Sequence, residues 1–212
     1  MKIKLDLKIF ALIILFFLSG KGQSYIVLYT FAAIHEIGHI LMGIVLGLKP
    51  ERINIGPMGF CIIFKQEKAK WQTELLVSIA GPITNFIIAT LFSLFIQVSK
   101  KETIIYANLI LGLFNMLPVL PLDGGRALMA ILKKYCKENI AEGIIYKTSN
   151  IAMALLTVIA GIGTLYLRNI AIPVIIIYLW VIVSNENKRH RLKQRIKKIL
   201  EKYWLNNSKM RQ

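Results

Sequence analysis

Between Tyr25 and Leu48 the chain carries one charged side chain, Glu36, flanked by His35 and His39 in an otherwise apolar run. A bilayer core asks for about 20 such residues and tolerates them only as a helix, because a helix satisfies its own backbone polar groups. At about 3.6 residues per turn His35 and His39 share one face, and Glu36, one turn below His39, leans toward the same point. A carboxylate at the centre of a membrane helix costs roughly 2.5–3.5 kcal/mol. Two core histidines and a solvated glutamate on a soluble helix therefore do not fit these surroundings. Two neutral imidazoles hold Zn²⁺ at about 2.0–2.1 Å and leave a neighbouring glutamate free to take a proton from a water at the metal.

The rest of the composition agrees with a membrane setting. Of the 212 residues 56% are hydrophobic, and mean hydropathy is +0.59, above the 45–50% apolar content of ordinary soluble domains. The net charge of +16 could point to nucleic acid, so the placement of the 27 Lys and Arg decides. They gather in short segments between apolar runs and in the tail, the pattern of a cytoplasmic face against anionic lipid, and a nucleic-acid role is set aside. Cys61 and Cys136 lack CxxC spacing and read as structural thiols in a reducing compartment.

Taken in order, Lys2, Lys4 and Lys8 precede a short apolar run, Ile9 to Leu18. A cleaved signal peptide has this form, but Ser19-Gly20-Lys21 lacks a small-x-small cleavage site, and a short first helix is favoured. After the second span, Arg52-Ile53-Asn54-Ile55 alternates and Phe60 to Phe64 is β-prone, with Gly56-Pro57 and Gly59 between them. This predicts a β-hairpin at the membrane surface, with an irregular interfacial loop as the alternative. A third span, Leu75 to Val98, contains Ala80-Gly81-Pro82-Ile83-Thr84-Asn85, where Gly and Pro permit a kink and close helix contact.

A fourth span from Ile104 runs into Asn115-Met116-Leu117-Pro118-Val119-Leu120-Pro121-Leu122-Asp123-Gly124-Gly125-Arg126. Two prolines and a Gly-Gly cannot continue a regular helix, and broken backbone at membrane depth is tolerated only where protein or a polar cavity covers it. Asp123 in that break is a metal-ligand candidate; capping a helix from Arg126 to Tyr135 is its other role, and the two are compatible. Ile151 to Leu167 and Ile170 to Val183 complete six spans. With the N-terminus inside, only Lys21, Lys100, Lys101 and Arg168 remain outside, which places both termini in the cytoplasm. Residues 1–186 form the transmembrane domain. In the basic tail, 187–212, Leu192, Ile196, Ile199, Leu200 and Tyr203 recur at helical spacing, giving either an amphipathic helix on the inner leaflet or a solvated tail. His190 reads there as a surface histidine.

With both motifs placed, the chain resembles the site-2 protease family of intramembrane zinc metalloproteases. The resemblance rests on His35-Glu36-Ile37-Gly38-His39, on Ala80-Gly81-Pro82 to Asn85, and on Asn115-x-x-Pro118-x-x-Pro121-Leu122-Asp123-Gly124-Gly125. The loop between the third and fourth spans is too short for a PDZ domain, which makes it similar to the stage IV sporulation protease FB group, whose members process a membrane-associated sigma-factor precursor. Many of those carry a C-terminal CBS domain; here the chain ends soon after the last span. The resemblance implies that His35, His39 and Asp123 ligate one Zn²⁺ per chain, that Glu36 is the catalytic base, and that Asn115 helps hold the substrate or the broken helix.

The expected fold is an all-α polytopic membrane protein of about six transmembrane helices with a short membrane-associated β-hairpin after the second. The expected function is cleavage of a membrane-associated protein, with membrane regulatory proteins and anionic lipid as further partners. The strand bearing Phe60, Ile62 and Phe64 would take an unwound substrate segment by β-addition. The rival functions are an inactive metal-binding scaffold and a metal carrier. A carrier needs polar residues through both membrane halves, and the outer half here has almost none.

Overall fold

The structure, a computed structural model, describes residues 2–5, 22–56, 59–65, 70–98, 100–167 and 171–209. Helices dominate: α1 Gly22–Val45, α2 Trp71–Leu94, α3 Lys101–Asn115, α4 Asp123–Tyr135, α5 Glu138–Leu167 and α6 Ala171–Lys209. The strands β1 Lys2–Leu5, β2 Lys49–Gly56 and β3 Gly59–Lys65 make one sheet in the order β1-β2-β3. β2 and β3 run antiparallel with Ile53 opposite Ile62, while β1 lies parallel to β2 with Ile3 opposite Ile53. Strand β1 is unanticipated by a reading that treats residues 2–8 as a basic flank. Its Ile3 and Leu5 alternate with Lys2 and Lys4, which is the strand period.

Ile26–Val45, Trp71–Leu94 and Glu138–Tyr166 are long and apolar enough to cross a membrane. The expected first span, Ile9 to Leu18, lies outside the described residues. Helix α3 has only 15 residues because the Pro118–Pro121 segment stops it, and that is short for a bilayer. Helix α5 starts at Glu138, well ahead of the apolar stretch at Ile151, since no residue between breaks a helix. Helix α6 continues without a break from its apolar start through the basic tail to Lys209.

α2 is the hub, packed against α1, α3 and α4. Small residues permit this: a Cβ on Gly38 of α1 would stand 3.1 Å from the Ala80 carbonyl oxygen of α2, and one on Gly112 of α3 would stand 2.8 Å from the Phe86 ring. The proline-rich turn is anchored from its other side, with Val119 and Leu122 in a buried cluster with Met153 of α5 and Ile176, Leu179 and Val183 of α6. About one turn beyond that cluster, Asn187 donates to Asn150 Oδ1 at 2.8 Å. His190, expected at the surface, is 9% exposed: its ring stacks on Tyr146 and its Nδ1 lies 3.2 Å from Glu142. It is buried because α6 stays helical and lays this face along α5.

Candidate metal centre

α1 brings His35 and His39 to one face, both 3% exposed, with ring centroids 4.8 Å apart. Asp123, 7% exposed, is the first residue of α4. Leu122 occupies the N-cap position and no side chain caps the helix, so the Asp123 carboxylate is directed elsewhere. Its Oδ2 lies 2.9 Å from His35 Nε2 and 3.2 Å from His39 Nε2, and the two Nε2 atoms are 3.2 Å apart. Gly124 and Gly125 let the carboxylate reach this point. A Cβ on either would meet the main chain of the turn, 2.6 Å from the Leu117 carbonyl oxygen and 2.5 Å from the Val119 carbonyl carbon.

Hydrogen bonds behind the rings decide which atoms face the cluster. The Nδ1–H of His39 donates to the Val77 carbonyl at 2.6 Å. The amide of Asn108 donates to the Ile104 carbonyl at 2.9 Å, which turns its oxygen toward Asn85; Asn85 Nδ2 donates to that oxygen at 2.9 Å. The oxygen of Asn85 is thereby left facing His35 Nδ1, which donates to it. A backbone carbonyl can only accept, so both Nδ1 atoms carry protons and both neutral rings present a lone pair at Nε2. Three electron-rich atoms thus face one another, and such a cluster accommodates a cation. Ligands at about 2.0–2.1 Å in a tetrahedron stand about 3.3 Å apart, close to the observed 2.9–3.2 Å. Two imidazole nitrogens and one carboxylate oxygen, gathered within 4.8 Å, could hold a transition-metal ion with a position to spare.

Residues 101–159 match Peptidase family M50. A zinc metalloprotease of Methanocaldococcus jannaschii is 36% identical over 118 residues, 52% of this chain, and stage IV sporulation protein FB of Bacillus subtilis is 25% identical over 200 residues, 91% of it. The chain spans 34% of the first relative's length and 68% of the second's. A solved structure, the site-2 protease from Methanocaldococcus jannaschii, superposes with a TM-score of 0.67 at 26% identity, over 87% of this chain and 89% of that one. By fold and by these partial matches the chain is similar to the site-2 protease family.

Glu36 is half-buried on α1 and within electrostatic reach of His35, His39, Asp123 and Arg126. Asn115 closes α3, half-buried at the start of the break. Phe60, Ile62 and Phe64 sit on β3, opposite Ile55, Ile53 and Pro50. Phe64 is half-buried, and its ring lies against α1, where a Cβ on Gly43 would come within 2.5 Å. The positioning amides Asn85 and Asn108, both fully buried, are missing from the sequence reading as site residues. Their signal was available, because an amide inside an apolar membrane helix is expensive unless it is used.

Proposed function

We propose that the chain is a zinc-dependent intramembrane endopeptidase that cuts a membrane-associated protein in or beside its membrane segment. The observation that carries this is the approach of His35 Nε2, His39 Nε2 and Asp123 Oδ2 to within 3.2 Å of one another, with both histidines on a helix of membrane-spanning length and composition. His35, His39 and Asp123 would hold one ion. Bound zinc would supply Lewis acidity and would lower the pKa of a water toward about 7. Glu36 takes the proton of the attacking water and delivers it to the leaving amine. Six spans, cytoplasmic termini and a basic inner face against anionic lipid complete the arrangement, with the β2–β3 hairpin at the membrane surface. The likeness to a sporulation protein makes a sigma-factor precursor a candidate substrate, with membrane proteins regulating access. Chelating the purified protein in vesicles is expected to stop cleavage of a membrane-tethered substrate, and one equivalent of zinc to restore it in the wild type but not in Asp123→Ala. Cleavage that persists in fully metal-depleted protein would refute the metal mechanism.

A helical substrate hides its carbonyls, so it must unwind, and unwound backbone in a membrane needs replacement partners. β3 supports their supply: it forms one edge of the sheet, and Phe64 at its end reaches α1. Asn115 adds a side-chain contact to the same extended segment. In Ile62→Pro a strand N–H is lost far from the ligands; cleavage should fall sharply with zinc content unchanged. An unaltered rate would rule out strand addition.

A further inference from the structure

A cavity of about 250 Å³ adjoins the metal centre between the start of α2 and the length of α4. Val77 and Arg126 line its near end: the Val77 carbonyl accepts the His39 bond, and Arg126 Nη1 is 4.0 Å from Asp123 Oδ1. Glu74 and Lys133, paired at 2.7 Å, line its far end, and Met129 lies between. From Arg126 to Lys133 α4 advances about 10 Å, the span of about three residues of extended peptide. Phe64 of β3 forms part of the wall, so a chain laid along that strand would pass the opening.

The charges along this cavity are unequal in what they leave over. Lys133 and Glu74 cancel. At the near end the carboxylates of Asp123 and Glu36 lie in the field of Arg126, and a divalent ion, once held by His35, His39 and Asp123, would balance those two. With the ion bound, the guanidinium would be the uncompensated charge of the cavity among the described residues. It is partly exposed, at 44% of its side chain, and its planar fork matches a carboxylate. We propose that this cavity is a substrate subsite for a carboxylate, bound by Arg126 within three residues of the bond cut. This rests on the endopeptidase reading. The carboxylate can belong to an acidic side chain of the substrate or to the new terminus formed by cleavage.

The test uses the zinc-loaded full chain and membrane-tethered peptides that differ only in Glu, Gln or Lys at each of three positions on either side of the cut. Binding is read on the Glu36→Gln protein and KM and kcat on the wild type. At one position Glu should bind about tenfold more tightly than Gln, as a charge-assisted pair allows, and Lys more weakly still. Arg126→Gln, with its zinc content verified, should erase the difference. Met129→Glu, which leaves Asp123 untouched, should reverse it. A flat side-chain series joined to product inhibition that weakens about tenfold in Arg126→Gln assigns the carboxylate to the new terminus. A flat series with product inhibition the same in both proteins overturns the subsite. Failure of the wild type to cut any peptide overturns the endopeptidase reading instead.

Discussion

Glu36→Gln is expected to keep its zinc, to bind substrate, and to lose roughly 10²–10⁴-fold or more of turnover, the scale of general-base catalysis. Glutamine preserves the size and hydrogen bonding of the side chain but cannot accept the proton of the attacking water. The three atoms that would hold the ion belong to His35, His39 and Asp123, so the substitution leaves them in place. Single-turnover cleavage and metal analysis on one preparation separate the two effects. Residual cleavage within a few fold of wild type would assign the base elsewhere. Loss of zinc in parallel with activity would make Glu36 part of the ion's binding set.

Gly81→Ala should abolish metal binding although it lies on a different helix from any ligand. A Cβ at Gly81 would stand 2.5 Å from His35 Nε2, in the space between the two imidazoles. Affinity should fall at least about 100-fold, the upper end of what indirect ligand displacement costs. Ordinary propensity works the other way, since Ala in a helix interior is favoured over Gly by about 1 kcal/mol. Unfolding is therefore a poor explanation for a metal-free variant. Gly161→Ala is the matched control, because its Cβ meets nothing within 4 Å. Equal zinc affinity in both variants would show that α1 and α2 do not approach as closely as described.

What could be read from the residues divides by the range of the interaction. The convergence of His35 and His39 is local, set by helix periodicity inside an apolar run, and is visible at once. Asp123 is visible as a carboxylate in broken backbone, but no pattern shows that its oxygen meets rings 84 and 88 residues away. The same limit hides Asn108, whose role exists only through Asn85 on another helix. Helix ends shift where no breaker marks them, as at Glu138. The burial of His190 depends on α6 keeping its direction beyond the apolar stretch, and nothing local in a charged tail announces that.

The carbonyls of Val77 and Ile104 sit within helices and cannot turn without unwinding them. Imidazole protonation is therefore dictated from the main chain, one ring directly and the other through two amides. An ion held by His35, His39 and Asp123 would meet lone pairs aimed by these hydrogen bonds. A shift in the register of either helix at Val77 or Ile104 would therefore be felt at the cluster as a misaimed lone pair, although neither residue belongs to it.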